Sequence, residues 1–361
     1  MKKILISTGG SGGHVVPATI FYDHFKNQFD VKLVSDKRGE SYIDENIYNF
    51  DIIDIPKPSK NIFFFPLFII LFIASIFKSL TFLKRNNINY LISTGGYMSL
   101  PFCIAAKIIN INIFLFEPNM VLGRSNRYVL RFSKKIFCYY KNIINFPQKF
   151  NNKIVLIERL LKKDSYNLSK NKSEEISKNL KILVVGGSQG ASFFDDKIKE
   201  VVEKLSKKKN FFLLQQVSNK IKKKEIEKIY ENLKIDYELF SYNKNFHNKI
   251  KEYDIAITRC GASVLSDLIF FNIPFLAIPF PYAKDNHQYY NAKYFADLGC
   301  CWLLDQHELN SQKILTMLLQ VIDDKNDYLA KKKNIEKISF LNNWKTTNQK
   351  LIYILNENKI S

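Results

Sequence analysis

The chain has 361 residues, enough for two domains that each bury a core of their own. Apolar residues make up 46% of the sequence and charged residues 24%, which excludes an intrinsically disordered protein. A formal net charge of +20 favours an anionic partner such as a phosphorylated substrate, anionic lipid or nucleic acid, although lysine is frequent along the whole chain. Five cysteines without a CxxC pair predict neither disulfides nor zinc ligands and fit a reducing cytoplasm.

Short apolar runs alternate with segments of helical periodicity in the first half of the chain. This alternation predicts a parallel sheet with helices on both faces. The predicted strands cover residues 3–7, 31–35, 51–55, 89–93, 113–117 and 135–139.

An uncharged apolar segment covers residues 62–77. As a helix it would be about 24 Å long, shorter than the bilayer core of about 30 Å. We favour a helix lying in the membrane interface, which would suit a membrane-resident substrate, with a buried crossover helix and a spanning helix as alternatives. Cationic residues flank the segment, as anionic lipid would require: Lys57, Lys60, Lys78, Lys84 and Arg85.

The second half of the chain repeats the strand–helix alternation after a polar, lysine-rich stretch over 162–179, which predicts a linker. Further strands are predicted at 181–185, 211–217, 255–258 and 274–279, and helices near 192–206, 262–272, 286–298 and 311–322. We therefore expect an N-terminal domain over 1–161, a linker over 162–179 and a C-terminal domain over 180–340. A C-terminal helix over 341–361 can pack back on the first domain.

Three glycine-rich turns each begin where a predicted strand ends. Glycines at such a turn let backbone N–H groups approach an anion, and the following helix points its positive end at it. Because two of the three turns stand at the start of separate α/β halves, they predict a cleft between two sheets that holds a phosphorylated ligand. The turns read Thr8-Gly-Gly-Ser-Gly-Gly-His14, Thr94-Gly-Gly-Tyr97 and Gly186-Gly-Ser-Gln-Gly190.

His14 closes the first glycine turn and is our candidate catalytic base. Histidine is the side chain best suited to accept a proton near neutral pH, and this position would face the bound ligand. A histidine that only caps or packs is the alternative.

A nicotinamide dinucleotide site is a rival interpretation of the first turn. Its GxGxxG pattern lacks the last glycine here, which weakens the rival, while Asp36 stands where a ribose-binding carboxylate would.

A later stretch, residues 258–291, combines several groups suited to a nucleotide sugar. Gly261-Ala262-Ser263 opens a helix after a strand and offers N–H donors for a diphosphate. Asp267, further along that helix, could accept both hydroxyls of a ribose. Gln288 offers an amide for sugar hydroxyls.

Taken in order, these motifs resemble the MurG family, the peripheral membrane N-acetylglucosaminyltransferases that complete lipid II in peptidoglycan synthesis. The resemblance covers nearly the whole chain and rests on the ordered set rather than on any one loop. The set comprises 8–14 with Pro17, Gly95-Gly-Tyr97 with Pro101, Glu117-Pro-Asn119, Gly186-Gly-Ser-Gln-Gly190-Ala191, and 259–267 with 285–291.

The resemblance implies a GT-B fold, with two Rossmann-like doubly wound domains and an interdomain cleft. It implies UDP-N-acetylglucosamine as donor, held mostly by the second domain, and a lipid acceptor, undecaprenyl-pyrophosphoryl-N-acetylmuramyl pentapeptide, presented to the first. By position, the implied donor-binding residues are Ser11, Gly12, Gly13, Asn119, Ser188, Asn243, Ala262, Ser263, Val264, Leu265, Ser266, Asp267 and Gln288.

The roles that the resemblance implies follow those positions. Ser11, Gly12 and Gly13 would lie beside the transferred sugar and the diphosphates, Asn119 and Gln288 would contact sugar hydroxyls, and Ser188 would lie near the donor phosphate. Backbone groups at Asn243 would read the uracil edge. The segment 262–267 would hold ribose and diphosphate.

The chain departs from the family pattern at three places. Asp267 stands where the family usually has Glu, and His287-Gln288 replaces a Gln-Gln pair. Leu156-Ile-Glu-Arg-Leu-Leu161 replaces the Gly-Asn-Pro-Val-Arg segment, so that the family's nucleotide-contacting Arg aligns near Leu161, with Arg159 and Lys162 as stand-ins. These departures bear on donor affinity more than on the type of reaction.

The expected reaction is an inverting transfer in which His14 deprotonates the C4 hydroxyl of the acceptor. Asp195-Asp196 lies inside a predicted helix rather than at a strand end, so we expect neither a catalytic metal nor a cofactor. The expected location is the cytoplasmic face of the bacterial inner membrane, on anionic lipid and without nucleic acid. Alternatives are a nucleotide-sugar transferase acting on another lipid, such as diacylglycerol, and a basic membrane- or nucleic-acid-binding module without catalysis.

Overall fold

Two α/β units divide the chain, the first comprising Met1–Lys163 and Asn343–Ser361 and the second Asp164–Asn342. The structure is a computed structural model that describes residues 1–56, 63, 65–168, 176–177, 179–241 and 247–357.

The first unit is built on a parallel seven-stranded sheet in the order β3-β2-β1-β4-β5-β6-β7. In register, Ile4 of β1 pairs with Val31 of β2 on one side and with Tyr90 of β4 on the other. The strands are β1 (Lys3–Ser7), β2 (Asp30–Ser35), β3 (Phe50–Ile52), β4 (Tyr90–Ser93), β5 (Asn112–Glu117), β6 (Lys135–Cys138) and β7 (Ile154–Leu156). The central strands are almost wholly apolar, as expected of strands that helices cover on both faces.

The α-helices in the described part of the first unit are α1 (Gly12–Phe25), α2 (Lys37–Glu40), α3 (Phe65–Arg85), α4 (Ser99–Ile108), α5 (Arg124–Val129) and α13 (Trp344–Glu357). Helix α1 is buried on nearly all sides because α13 covers the surface that the sheet leaves open. Leu351, Ile354 and Leu355 of α13 belong to the same core as Phe21 and Phe25 of α1.

A buried histidine fastens α13 to α1. The imidazole of His24 stacks on the indole of Trp344 with 3.7 Å between ring centroids, and Asn348 Nδ2 donates to the His24 carbonyl at 2.6 Å. His24 Nε2 has no hydrogen-bond partner within the described residues. Burial lowers the pKa of His24 to about 3, so this side chain is neutral in the folded protein.

We therefore expect acid to destabilise the first unit through His24. The unfolded chain takes up a proton here below pH ~6.5 and the folded chain does not, so the free energy of unfolding falls as the pH drops below that value. Between pH 7.5 and 5.0 the loss should be about 2 kcal/mol. Urea unfolding of the wild type and of His24→Gln at both pH values measures it. An equal pH dependence in both proteins would contradict the assignment.

Helix α3 has an exposed apolar N-terminal part and a packed C-terminal part. Toward its end, Ser75, Ser79 and Leu83 are buried, and Phe82 contacts Phe102 of α4 edge to face. The helix is long and apolar enough to cross a membrane, a test that core helices and signal sequences also pass, but only 17% of its apolar window is buried. A buried crossover helix, one of our alternatives, does not fit. The exposed apolar residues are Phe65, Leu67, Ile69, Ile70, Leu71, Ile73 and Phe77.

The second unit contains a parallel six-stranded sheet in the order β10-β9-β8-β11-β12-β13, the strand order of a Rossmann fold. Its strands are β8 (Leu180–Val185), β9 (Phe211–Gln216), β10 (Asp236–Phe240), β11 (Ile255–Thr258), β12 (Phe275–Ala277) and β13 (Cys301–Leu303). Its helices are α6 (Gly187–Ser206), α7 (Lys220–Asn232), α8 (His247–Ile250), α9 (Ala262–Phe270), α10 (His287–Asp297), α11 (Ser311–Asp323) and α12 (Lys325–Ser339). The predicted doubly wound α/β architecture is confirmed for both units.

Several predicted bounds were wrong. Strand β3 covers Phe50–Ile52 instead of 51–55, and α3 continues past Lys78 to Arg85. Helix α6 begins at Gly187 rather than at residue 192, so the third glycine sequence forms the first turn of the helix instead of a loop before it. The sequence interpretation also lacked β7, β10, β13, α7 and α12.

Candidate functional site

The glycine turns of the first unit follow β1 and β4, which are neighbours at the point where the strand order reverses. Ligands of open α/β sheets bind beside the carboxyl ends of strands at such a switch point. The two turns contact each other, since Thr94 Oγ1 donates to Thr8 Oγ1 at 2.8 Å. The sequence-predicted residues 11–14 and 94–97 therefore share one edge of the sheet.

His14 lies in the first turn of α1, with its ring against the second glycine turn. Its Nδ1 is 2.8 Å from the carbonyl oxygen of Thr94. A carbonyl accepts only, so Nδ1 carries the proton and Nε2 keeps its lone pair in the neutral ring. A methyl group at Gly95 would come within 3.3 Å of His14 Cε1 and one at Gly96 within 3.6 Å of Cδ2. Both glycines have φ above +80°, a region that suits glycine.

The start of α1 offers backbone N–H groups to an anion. Gly12 and Gly13 are its first residues, and the side chain of the N-terminal cap, Ser11, makes no capping hydrogen bond. An anion can therefore take the place of the missing cap.

Asp36 organises this edge of the sheet. Its carboxylate accepts hydrogen bonds from Gly10 N at 2.8 Å, from Gly39 N at 2.9 Å and from the hydroxyl of Tyr97. Burial alone would raise the pKa of Asp36, but these hydrogen bonds outweigh it and hold the pKa below its usual value. With its oxygens occupied by these donors, Asp36 is unsuited to binding a ribose, which further weakens the dinucleotide interpretation.

Replacing Asp36 with Ala should destabilise the first unit by about 2–4 kcal/mol, because two buried N–H groups and the Tyr97 hydroxyl lose a charged acceptor. Asp30→Ala is the matched control, since the carboxylate of Asp30 forms an exposed ion pair with Lys3 at 3.3 Å and its loss should change stability by less than about 1 kcal/mol. Urea unfolding measures both. Equal losses in the two variants would argue against a role for Asp36 in holding the glycine turns.

Glu117 fixes the predicted sugar-contacting residue Asn119. The buried carboxyl of Glu117 accepts from Asn119 Nδ2 at 3.0 Å, from Asn126 Nδ2 at 3.0 Å and from Gly123 N at 2.7 Å. These bonds close the loop after β5 and orient the amide of Asn119.

In the second unit, the switch point lies between β8 and β11, which α6 and α9 follow. At the start of α6, Gly187 N donates to Gln216 Oε1 at 2.8 Å, and Gln216 Nε2 donates to the Ser241 carbonyl at 3.0 Å. Ser188 follows in the first turn of α6, and its side chain lies outside the part that the structure describes. Asn243 also lies outside the described residues.

Helix α9 begins at Ala262, and its N-terminal cap, Gly261, has no side chain to offer. Leu265 and Ser266, both in the predicted binding segment, face the interior: Leu265 N donates to Gly261 O, and Ser266 Oγ donates to Ala262 O. The side chains of that segment that keep partial exposure are those of Ser263, Val264 and Asp267.

Gln288 joins the loops that follow β11 and β12. Its Oε1 accepts from Cys260 N and from Phe280 N, both at 3.0 Å, so the amide is oriented with Nε2 as its donor end. Two left-handed residues, Asp285 and Asn286, with φ of 52° and 56°, form the turn before α10. The structure thus brings Gln288 next to the start of α9.

Residues 156–161, which replace the family's Gly-Asn-Pro-Val-Arg motif, offer little to replace the nucleotide-contacting Arg of that motif. Leu161 is buried. The guanidinium of Arg159 lies 5.1 Å from the ring centroids of both Tyr139 and Tyr140.

Sequence reasoning missed Gln216, and it did not foresee the hydrogen bond of Asp36 with Tyr97 or the buried environment of Arg259. Their partners lie far away in the chain, and no local pattern signals them.

Comparison with known proteins agrees with this geometry. Residues 4–138 match the glycosyltransferase family 28 N-terminal domain, and residues 181–346 match the corresponding C-terminal domain. Among solved structures, MurG from Acinetobacter baumannii superimposes with a TM-score of 0.75 at 18% identity, covering 99% of this chain and 100% of that one. An S. aureus MnaA structure with UDP gives 0.68 at 15% identity, covering 99% and 97%. These two establish the fold, that of the GT-B glycosyltransferases.

Sequence relatives define the family more narrowly. A UDP-N-acetylglucosamine–N-acetylmuramyl-(pentapeptide) pyrophosphoryl-undecaprenol N-acetylglucosamine transferase of Pelagibacter ubique is 48% identical over 99% of both chains. One from Rickettsia bellii is 33% identical, covering 90% of this chain and 92% of the relative. The chain belongs to the family of these transferases.

Proposed function

We propose that this protein transfers N-acetylglucosamine from UDP-N-acetylglucosamine to the C4 hydroxyl of undecaprenyl-pyrophosphoryl-N-acetylmuramyl pentapeptide, converting lipid I to lipid II in peptidoglycan synthesis. The observation that carries this proposal is 48% identity over nearly the whole length to a transferase named for that donor and acceptor. The predicted function agrees with this relationship.

The donor would bind at the switch point of the second unit. The starts of α6 and α9 supply N–H donors and positive dipole ends for its diphosphate. Asp267, partly exposed on α9, would accept the ribose hydroxyls, and Gln288 would donate from Nε2 to a sugar hydroxyl. A small diphosphate, rather than nucleic acid, suits these two helix starts.

His14 would act as the general base. Its protonated Nδ1 bonds the Thr94 carbonyl, so Nε2 can take the proton of the C4 hydroxyl. The hydroxyl oxygen then forms a bond to the anomeric carbon while the bond from that carbon to the phosphate oxygen breaks. One displacement inverts the anomeric configuration, and UDP leaves with the bonding electron pair.

The helix starts would stabilise the negative charge that develops on UDP, without a metal ion. The candidate metal ligands Asp195 and Asp196 lie within α6, away from a strand end. Asp195 is buried and accepts from Ser218 N at 3.2 Å and from the Ser218 hydroxyl. Its role is therefore structural.

Helix α3 would hold the enzyme on the membrane that carries the acceptor. Its exposed apolar N-terminal part can enter the interface between headgroups and acyl chains. A spanning helix is less consistent with the topology, because β3 before α3 and β4 after it belong to one sheet. The connection back would have to cross the lipid as irregular backbone, which lipid does not tolerate. Peripheral attachment follows.

The cytoplasmic face of the inner membrane is the proposed location. All five cysteines are buried and none forms a disulfide, as in proteins of a reducing compartment.

A transfer assay with radiolabelled UDP-N-acetylglucosamine tests the proposed function. A lipid I analogue should become labelled, whereas diacylglycerol should not. Label on diacylglycerol alone would indicate a different lipid acceptor. Absence of binding heat with UDP-N-acetylglucosamine in calorimetry would instead indicate a module without catalysis.

A further inference from the structure

A buried arginine lies at the carboxyl edge of the sheet in the second unit. The side chain of Arg259 is 2% exposed, and its Nη1 donates to the carbonyls of Ile278 and Pro279, both at 3.1 Å. Its guanidinium carbon lies 4.8, 5.2 and 5.5 Å from the ring centroids of Phe193, Phe194 and Phe280. Carbonyl dipoles and aromatic faces therefore surround the cation.

No carboxylate balances this charge within the described part of the chain, and Arg259 Nε is buried without a hydrogen-bond partner there. Burying an unpaired charge is costly, and natural proteins rarely do so without a reason. Burial lowers the pKa of Arg259 to about 10, which still leaves the guanidinium protonated at neutral pH. The second unit thus carries a fixed, poorly solvated positive charge.

The position of Arg259 relates this charge to the two helix starts. Arg259 N donates to the Val185 carbonyl at 3.0 Å, directly beside Gly186, which caps α6. In sequence, Arg259 comes two residues before Gly261, which caps α9. Phe193 and Phe194, which its guanidinium contacts, belong to the second turn of α6. The guanidinium thus lies against the second turn of α6, and the backbone of Arg259 lies beside the caps of both helices.

We propose that Arg259 is a positioning residue that supplies a permanent positive field to the diphosphate site formed by α6 and α9. This inference rests on the proposed function and adds to it a residue that acts without contacting the donor. A cation shielded from water acts on a nearby anion more strongly than an exposed one does. It would favour a nucleoside diphosphate over a nucleoside and would stabilise UDP most when it leaves with additional negative charge.

A purely structural role is the competing explanation, because the bonds to Ile278 and Pro279 also hold the loop that carries Phe280, whose N–H binds Gln288. The two explanations predict a loss of affinity for different ligands. Loss of loop geometry weakens every contact of the donor, whereas loss of charge weakens only the contacts of the phosphates.

Calorimetric measurement of UDP and uridine binding by the full-length protein distinguishes the two explanations. Arg259→Met keeps the apolar contacts with the phenylalanine rings without a charge. This variant should bind UDP about tenfold or more weakly, because one elementary charge acting over several ångströms of protein is lost. Its affinity for uridine should stay within about twofold of the wild-type value. Arg259→Lys should retain most of the UDP affinity. In the transfer assay, kcat should fall in Arg259→Met and largely recover in Arg259→Lys.

Lys332→Met is the matched control, since it also removes a buried cation of the second unit. Lys332 lies 5.9 Å from the ring centroid of Tyr328, whose hydroxyl donates to the Asp254 carbonyl. Asp254 precedes β11 and Arg259 follows it, so the two cations lie at opposite ends of one strand. UDP affinity should not change in this control.

Equal losses of UDP and uridine binding in Arg259→Met, or no loss of either, would overturn the inference. If that variant does not fold, Arg259→Gln, which keeps a donor for the carbonyls, must show the same selective loss. A wild-type protein that fails to bind UDP would instead contradict the proposed function, and with it this inference.

Discussion

His14→Ala should lower kcat by about 10²- to 10⁴-fold, the usual contribution of a general base, while the Kd for UDP-N-acetylglucosamine stays nearly unchanged. The physical reason is that the imidazole acts on the acceptor hydroxyl, whereas the groups proposed to hold UDP, the N–H donors at the helix starts and Asp267, belong to the second unit. The Thr94 carbonyl fixes the tautomer, so the base does not have to reorganise before each turnover.

Steady-state kinetics with a lipid I analogue, together with calorimetry of donor binding, measures this effect. His307→Ala is the matched control, because His307 lies exposed in a short helical turn of the second unit and should leave kcat unchanged. Turnover by His14→Ala within a few-fold of the wild type would remove His14 from the role of base. Loss of donor affinity without loss of kcat would assign it to binding instead.

The second large effect concerns the membrane. Ile70 and Phe77 are each 64% exposed and lie on the same side of α3, two helical turns apart. Ile70→Glu combined with Phe77→Glu should weaken binding to vesicles of anionic phospholipid by roughly 100-fold or more, since each side chain loses about 1.5–3 kcal/mol of apolar burial. Because both side chains face outward, the fold should persist.

Cosedimentation with phosphatidylglycerol-containing vesicles measures the partition. Ile221→Glu is the control, since Ile221 is 80% exposed on α7 and should not affect the partition. Activity on an acceptor analogue with a short, water-soluble lipid should be equal in all three proteins. Unchanged vesicle binding by the double variant would contradict the membrane role of α3.

The elements that the sequence predicts well are those whose residues are buried on all sides. Strands β1, β4 and β8 read as apolar runs that stop at glycine, and their predicted positions differ from the structure by at most one residue at either end. Helices α7 and α12 were not predicted because charged residues occupy most of their exposed faces and few apolar residues mark their buried faces. Strand β7 escaped prediction because it has only three residues, and strand β10 because acidic residues interrupt its apolar pattern at a sheet edge.

The site was predictable to the extent that its chemistry is local in sequence. The glycine turns and His14 could be found because glycine at a strand end has a direct conformational meaning. The hydrogen bond between His14 and Thr94 joins residues that are 80 positions apart in the sequence. The hydrogen bond between Tyr97 and Asp36 joins residues that are 61 positions apart. Only the register of the sheet brings them together, and the pairing of β1 with β4 sets that register.

Helix α13 has a consequence for how the molecule is made. The last helix of the chain completes the core of the unit that is synthesised first. During translation, one side of α1 therefore stays uncovered until α13 has left the ribosome. Termination before α13 should therefore yield an aggregation-prone product with an exposed apolar surface rather than a functional N-terminal half.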